Sequence, residues 1–210
     1  MNNIVEYLDY LFPNPHCELN YNKDYELLIS VMLSAQTTDK MVNRVTDVLY
    51  KKYDSIEKLA TADINDIIDI IRPLGNYNKK ANNIIEISKR LINDTNGKVI
   101  NDRIYLESLS GVGRKTANVV LANLYNEDVI AVDTHVARVS KRLGIANNND
   151  DVLTIEKNLN KVFTKKSLGR LHHQLVLFGR YYCKSNKPSC ETCRLILMCK
   201  YYKKNKKGGY

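Results

Sequence analysis

No tryptophan occurs among the 210 residues of the chain, and no apolar run approaches the roughly 18 residues that a membrane-spanning helix needs. The N-terminal segment MNNIVEYLDYLF has neither a basic leader nor a long apolar core, so we expect no secretion. Strand-like alternation of polar and apolar residues is nearly absent, which argues against a β fold. These absences predict an intracellular, cytoplasmic protein with no membrane partner and with reduced thiols.

Apolar residues recur at helical spacing along most of the chain. One clear stripe repeats at intervals of three and four residues through Ile64, Ile67, Ile68 and Ile71. Residues that favour helix starts precede periodic segments at Ser55, Thr61, Asn78 and Asp150–Asp151. The length is sufficient for one large domain or two modest ones. We therefore predict an all-α fold whose apolar stripes form its core.

The formal net charge is +9, with 32 Lys and Arg against 23 Asp and Glu. An excess of this kind favours an anionic partner such as nucleic acid. Part of the excess lies in a lysine-rich tail over residues 200–207, and such a tail is typical of a solvated chain end. The charge therefore supports a nucleic-acid partner without establishing one.

Four of the five cysteines lie close together near the C-terminus with the spacing C-x6-C-x2-C-x5-C, at Cys183, Cys190, Cys193 and Cys199. Only Cys17 lies outside this group. Four thiolates on an irregular spacing can all bind one [4Fe–4S] cluster from a single folded segment. The alternatives are a pair of disulfides or a structural zinc site, although a zinc ribbon normally has two C-x2-C pairs and this segment has one. The pattern predicts a metal centre and favours the iron–sulfur cluster.

A second informative segment is LSGVGRKTANVV, residues 109–120. It predicts a short helix over about residues 103–108, then a Gly-Val-Gly turn and a second helix. These three elements would together cover about residues 103–125. Glycines allow close backbone approach, Val112 can pack into the core, and the second helix offers N–H groups to a phosphate. This is the pattern of a helix-hairpin-helix motif, which binds the DNA backbone, with candidate contacts at Gly111, Val112, Gly113, Arg114 and Thr116. A plain glycine turn between packed helices is the alternative.

Lys115 follows the second glycine of this turn by two residues. Taken alone, it would be a further phosphate contact or simply an exposed lysine. Asp133 lies 18 residues later at the next predicted helix start, where an aspartate serves as a cap. Capping and catalysis are compatible, so both residues are candidates for chemistry.

The segments LSGVGRKTANVVLA and AVDTHVARV, together with the cysteine quartet, resemble the endonuclease III family of DNA glycosylases with abasic-site lyase activity. VMLSAQTTD, GNYNKKANNI and LHHQLVLFGRYYC also fit that family, so the resemblance covers nearly the whole chain. It implies a six-helix barrel domain over residues 18–128 that contains the hairpin. A discontinuous iron–sulfur domain over 1–17 and 129–210 would complete the fold, with a DNA-binding cleft between the two. The resemblance further suggests a monomer whose partner is damaged double-stranded DNA.

The resemblance also implies a mechanism. Lys115 would attack C1′ of an oxidised pyrimidine nucleotide, release the base, form a Schiff base and cut the strand by β-elimination. Asp133 would accept a proton or stabilise positive charge on the sugar. Gln36 would fill the space that the flipped base leaves. The [4Fe–4S] cluster would be structural, and its loop would place Lys184 and Lys187 against phosphates.

One departure from the family pattern concerns the residue that wedges into the base stack. The family often has leucine after the glycine that corresponds to Gly75, whereas this chain has Asn76, which leaves Leu74 or Tyr77 as substitutes. Three other functions compete with the main hypothesis. An adenine-specific mismatch glycosylase would normally lack Lys115, an ultraviolet-dimer glycosylase would share it, and a non-catalytic DNA-binding module would not need it.

Overall fold

The three-dimensional structure is a computed structural model that describes residues 2–163 and 167–206. All regular structure in these two ranges is helical, and neither range contains a β-strand. No helix within them is long and apolar enough to cross a bilayer. The prediction of an all-α fold is confirmed.

Along the described chain there are twelve α-helices and one π-helical turn. The helices are α1 (Asn2–Leu11), α2 (Asp24–Leu33), α3 (Asp39–Lys52), α4 (Ile56–Ala60), α5 (Ile64–Ile71), α6 (Tyr77–Thr95), α7 (Arg103–Glu107), α8 (Arg114–Tyr125), α9 (Thr134–Leu143), α10 (Val152–Val162), α11 (Leu168–Leu177) and α12 (Lys200–Lys206). The π-helical turn (Phe178–Tyr182) directly continues α11. By their internal contacts these elements form two compact units. We call Cys17–Tyr125 the hairpin unit, and Met1–His16 with Asn126–Tyr210 the cysteine unit.

Helix α2 is the central helix of the hairpin unit. Every residue from Tyr25 to Leu33 is buried, and the helix packs against α3, α6 and α8. A helix that is apolar around most of its circumference is stable only when other helices enclose it. Its first turn is closed by the buried carboxylate of Glu26, which accepts the backbone N–H groups of Asn22 (2.7 Å) and Lys23 (3.1 Å). The sequence of α2 therefore dictates its central place.

Capping side chains fix where several of these helices begin. Ser55 caps α4 by accepting the N–H of Lys58, as its position in the sequence predicts. Thr61 is the C-cap of α4, and Asp63 caps α5 instead, so the predicted role of Thr61 is wrong. Two candidate caps lay within three residues of each other here, and only the tertiary structure selects between them.

In the cysteine unit, α9 packs against α10, α11, α12 and the π-helical turn, while α1 packs against α11. The core of this unit contains Leu8, Val136, Val139, Leu175 and Phe178, each at most 2% exposed. These residues recur at helical spacing along their helices, so each helix turns one apolar face inward. The short segment before residue 17 is thus part of the same core as the cysteine-bearing C-terminus.

The π-helical turn brings the chain from α11 to the first clustered cysteine. Its widened geometry appears in the hydrogen bond from the Cys183 N–H to the Phe178 carbonyl oxygen, 2.7 Å across five residues. Gly179 within the turn lies against α9, because a Cβ added there would stand 2.8 Å from Cβ of His135. Only a residue without a side chain allows this approach. Cys183 then lies within reach of α9, where Arg138 donates to its carbonyl oxygen and Arg142 donates to its carbonyl oxygen and to its sulfur.

Candidate functional site

The predicted hairpin is present in the hairpin unit as α7, a turn over residues 108–113, and α8. Val112 is 5% exposed, so its side chain packs into the core as predicted, beside Leu109 at 3%. The N–H of Val112 donates to the Leu109 carbonyl oxygen at 3.1 Å. This amide is therefore engaged within the turn. Because the first four N–H groups of a helix have no intrahelical acceptor, the donors offered to a ligand belong to the start of α8.

Gly111 carries the reversal of the hairpin. Its φ of +76° lies in the left-handed region, where a side chain is strained. A Cβ added there would stand 3.1 Å from Cγ of Asn83 and 3.3 Å from Cγ of Met32, with the Asn83 amide nitrogen closer still. Gly113 differs, since a Cβ there would meet nothing within 4 Å. Gly111 is therefore required by the backbone conformation and the packing of the turn, whereas Gly113 faces space that no other protein atom occupies.

Lys115 lies on the first turn of α8 with its side chain exposed, and the neighbouring Arg114 is also exposed. Ala117 and Asn118 on the same helix are buried, so α8 is anchored by its inner face. A helix N-terminus carries partial positive charge, which favours an anion there. The arrangement places a primary amine directly beside a surface suited to phosphate.

Asp133 is the N-cap of α9 in the cysteine unit. Its Oδ1 accepts the N–H of Val136 at 2.8 Å, so the carboxylate is held in a defined position. The residue is half-buried. Nearby, the Arg138 guanidinium lies 3.2 Å from Nδ1 of His135. The predicted cap is present, and His135 contacts Arg138 on the next turn of the same helix.

Gln36 occupies the turn after α2, with an exposed side chain and a φ of +58°. Asn76, at the start of α6, is likewise exposed with a φ of +58°. Leu74 is only 1% exposed and is part of the core, so it cannot replace the missing wedge leucine. Tyr77 is half-buried, with the Arg72 guanidinium 5.8 Å from its ring centre. Of the two substitutes considered from the sequence, only Tyr77 remains accessible.

All four clustered cysteines line one cavity of about 30 Å³ together with Leu143, Phe178 and Ile196. Each of them is a free thiol. Burial raises the pKa of the Cys193 thiol, and the charges of the other three cysteines raise it further. The structure therefore brings together four cysteines that are spread over a segment of 17 residues.

Within residues 2–163 and 167–206, no three His, Cys, Asp or Glu side chains are arranged to hold a metal ion. The four thiols nevertheless line one cavity. Four soft sulfur donors around a shared apolar cavity are a donor set that fits an iron–sulfur group.

Two arginines of α9 hold the loop that precedes Cys190. Arg142 donates from Nη1 to the Lys184 carbonyl oxygen (2.6 Å) and from Nη2 to the Ser185 carbonyl oxygen (3.0 Å). Arg138 donates from Nε to the Cys183 carbonyl oxygen (3.2 Å). Lys184 and Lys187 both project as exposed side chains. Sequence reasoning did not identify either arginine, although their i, i+4 spacing after Asp133 places both on one face of α9.

Comparison with known proteins adds to this geometry. Residues 29–165 match the family model described as the HhH-GPD superfamily base excision DNA repair protein. The chain is 45% identical to endonuclease III of Bacillus subtilis (strain 168) over 199 residues, which cover 95% of this chain and 91% of that protein. The chain belongs to the endonuclease III family.

Solved structures of this family agree in fold. One is a non-covalent endonuclease III–DNA complex, with a TM-score of 0.93 and 43% identity, covering 98% of this chain and 96% of the other. The second is a trapped endonuclease III–DNA covalent intermediate, with a TM-score of 0.91 and 42% identity, covering 98% and 99%. Members of the family are DNA glycosylases with abasic-site lyase activity, so the predicted enzyme class is confirmed.

Proposed function

We propose that this chain excises oxidised pyrimidines from double-stranded DNA and then cuts the strand, with Lys115 as its nucleophile. The observation that carries the proposal is the exposed Lys115 amine on the first turn of α8, directly after the glycine turn. A nucleophile must reach the sugar while the neighbouring phosphates are held. The start of α8 in the hairpin unit supplies both the amine nucleophile and the backbone N–H groups that can hold a phosphate.

The proposed chemistry begins with the neutral amine of Lys115. Its lone pair forms a bond to C1′ as the glycosidic C1′–N bond breaks, and that electron pair leaves with the base. Opening of the sugar gives a Schiff base between Nζ and C1′. Loss of a proton from C2′ and cleavage of the C3′–O bond then cut the strand. An aqueous lysine is overwhelmingly protonated at neutral pH, so removal of water by bound DNA and a proton acceptor are both required.

Asp133 is the proposed acceptor of that proton. Its carboxylate can alternatively stabilise the positive charge that develops on the sugar. The hydrogen bond from the Val136 N–H engages Oδ1 and limits the reorientation needed during the reaction. A carboxylate fixed in this way can act without first being ordered by the substrate.

The hairpin is the proposed backbone clamp. Gly113, Arg114 and Thr116 present the start of α8 to a phosphate, since a helix N-terminus stabilises anions. Phosphate contacts position a protein without reading sequence, as a repair enzyme that meets lesions anywhere requires. Val112 and Gly111 contribute by shaping the turn, because the side chain of Val112 and its N–H are both engaged inside the protein.

The target base cannot be attacked inside the duplex, so it has to be flipped out of the stack. Gln36 is the proposed filler of the space that results. Its side chain is exposed at the tip of a tight turn, where an amide can make hydrogen bonds to an unpaired base. Asn76 and Tyr77 are the proposed neighbours in this task in place of the usual leucine.

We infer that Cys183, Cys190, Cys193 and Cys199 hold a [4Fe–4S] cluster. Support comes from the four free thiols around one apolar cavity and from membership of the family. When bound, the cluster supplies a covalent cross-link between distant parts of the segment. Lys184 and Lys187 of the intervening loop would then approach DNA phosphates.

The test is borohydride trapping on a duplex with one oxidised thymine. We expect the parent protein to give a covalent protein–DNA adduct and Lys115→Gln to give none. Lys51→Gln serves as the matched control, because Lys51 is a strongly exposed lysine of the same unit that pairs with Asp47. If the parent formed no adduct and cut neither this duplex nor one with an abasic site, the proposal would be rejected. Attention would turn to a lysine-independent glycosylase or a non-catalytic DNA-binding protein.

A further inference from the structure

Lys80 is a buried lysine in the hairpin unit. It lies on α6 and is only 5% exposed, whereas its neighbour Lys79 is fully on the surface side of the helix. Lysines are rarely buried to this degree unless the ammonium group has partners. Because such burial is costly, the position of this side chain calls for a specific role.

The partners of Lys80 belong to one turn. Its Nζ donates to the Ala35 carbonyl oxygen at 2.9 Å and lies 3.4 Å from Oγ1 of Thr37. These two residues flank Gln36 on either side. The ammonium group therefore links both ends of the segment Ala35–Gln36–Thr37 to α6, although Lys80 is 43 to 45 residues away from them in the sequence.

The bridged turn is in an unfavourable conformation. Gln36 has a φ of +58°, which glycine, asparagine and aspartate adopt far more readily than glutamine. Two internal hydrogen bonds support the turn: the Thr37 N–H donates to the Ser34 carbonyl oxygen at 3.0 Å, and the Thr37 hydroxyl donates to the Ala35 carbonyl oxygen at 3.3 Å. Strained residues of this kind persist when the surrounding structure holds them, and they concentrate at functional sites.

Burial lowers the pKa of the Lys80 ammonium. The charged group nevertheless has two oxygen acceptors, and hydrogen bonds from a charged donor are stronger than those between neutral groups. Removing the ammonium would leave the Ala35 carbonyl without this donor and the turn without its link to α6. The alkyl part of the side chain, by contrast, only fills space and has an apolar equivalent in methionine.

We propose that Lys80 is a positioning residue whose ammonium group fixes the Ala35–Gln36–Thr37 turn so that Gln36 is presented to DNA in its working conformation. This inference rests on the proposed role of Gln36 in the vacated space of the base stack. Lys80 touches neither substrate nor reacting atoms in this account. Lys80 acts only through Gln36, so replacing Lys80 should have no effect in a protein that already lacks the Gln36 side chain.

The experiment is a double-mutant cycle on base release from a duplex with one oxidised thymine, measured with enzyme in excess. Gln36→Ala, Lys80→Met and the double variant are compared with the parent, and Lys79→Met is the matched control on the same helix. We expect Lys80→Met to slow base release about tenfold, the loss typical of one charge-assisted hydrogen bond. In the Gln36→Ala background the same change should have no further effect.

Hydrogen exchange of the backbone amides provides a readout independent of activity. Lys80→Met should speed exchange at the amides of residues 35–37 while α6 stays protected, and Lys79→Met should change exchange in neither region. Thr37→Val is a second variant, in case Lys80→Met does not fold. It keeps the shape of the side chain and removes the hydroxyl that accepts from Lys80 and donates to the Ala35 carbonyl oxygen. It should act in the same direction with a smaller effect, and again only when Gln36 is present.

Three results would overturn the inference. If Lys80→Met slowed base release equally in both backgrounds, Lys80 would act independently of Gln36. If exchange at residues 35–37 did not change, the ammonium would not be what holds the turn. If Gln36→Ala alone left base release unchanged in an active parent enzyme, the glycosylase function would stand and the role assigned to Gln36, and through it to Lys80, would fall.

Discussion

Two segments that we propose to lie against DNA phosphates are held in place in different ways. The turn over residues 108–113 is fixed by apolar packing, with Leu109 and Val112 buried and Gly111 fitted against Asn83. The loop over residues 184–189, which we call the cysteine loop, has mostly exposed side chains. Its backbone carbonyls are held by the guanidinium group of Arg142. The conformation of the hairpin turn depends on the apolar core of its own unit. The conformation of the cysteine loop depends on hydrogen bonds from a charged arginine and on the cysteines at its ends.

This difference bears on how each segment becomes ordered. Apolar packing forms together with the fold, so the hairpin turn needs nothing beyond the polypeptide. The cysteine loop contains Lys187 with a φ of +50°, a left-handed conformation that costs a lysine free energy. Its neighbours Cys183 and Cys190 are proposed ligands of a cluster. We therefore expect one segment to be independent of the cofactor and the other to require it.

We expect the largest effect from removing a cluster ligand, because this change should unfold the cysteine loop and leave the hairpin turn folded. Cys193→Ser should lower the free energy of unfolding of the cysteine unit by about 5 kcal/mol or more, because metal-binding free energy is folding free energy where a site forms only on folding. Hydrogen exchange should show protection lost around residues 183–199 and kept in α7 and α8. Cys17→Ser is the control and should change neither. Equal loss of protection in α7 and α8 would refute the distinction.

The next effect tests whether packing alone holds the hairpin. Gly111→Ala should lower the free energy of unfolding by about 3 kcal/mol, because it adds a clash with Asn83 to a left-handed backbone. Gly113→Ala meets nothing within 4 Å and should stay within about 0.5 kcal/mol of the parent in urea unfolding. It should still weaken DNA binding, since a methyl group would then cover the phosphate surface. Similar stabilities for the two variants would contradict this account of the turn.

The smallest effect concerns the cysteine loop as a DNA contact. Replacing Lys184 and Lys187 together with glutamine should reduce the slope of log K against log salt concentration by up to about two units, one for each lost phosphate contact. A double replacement of Lys51 and Lys58 is a suitable control, because both lysines are exposed and pair with aspartates four residues away. An unchanged slope in cluster-loaded protein would show that the loop does not contact phosphates.

The sequence predicted the helical elements well where periodicity and capping agree. Asp151 caps α10 by accepting the N–H of Thr154, at the helix start expected from the sequence. At α6 the N-cap is Asn76, so the predicted cap Asn78 lies inside the helix, two residues beyond the true cap, and this prediction is wrong, as is that for Thr61. Local signals suffice for features such as the Asp151 cap because they arise from interactions between residues close in the chain.

The sites were less predictable, because they depend on contacts between distant segments. Leu74 was considered as a wedge from its place beside Gly75, yet it is buried in the core. Lys80 lies in the polar run NKKANN and looks like a surface lysine, although its helical spacing to Ile84 and Ile87 places it on the buried face of α6. Motif matching identified the residues proposed to meet DNA or a cofactor. It gave no account of the residues that hold them.

The π-helical turn between α11 and Cys183 contains one residue more than a regular helical turn would need to reach the same cysteine. Each residue of an α-helix turns the chain by about 100°, and a π-helical turn accommodates one more residue than an α-helical turn does. Deleting one residue from Phe178–Tyr182 would let α11 continue as a regular helix up to Cys183. Because the widened turn contains the extra residue, the thiol of Cys183 would stay on nearly the same side of the axis after this deletion. A deletion within α11 itself would instead rotate Cys183 by about 100° about the axis. The π-helical turn is therefore the place in this segment where the chain can lose one residue with the least displacement of the metal centre.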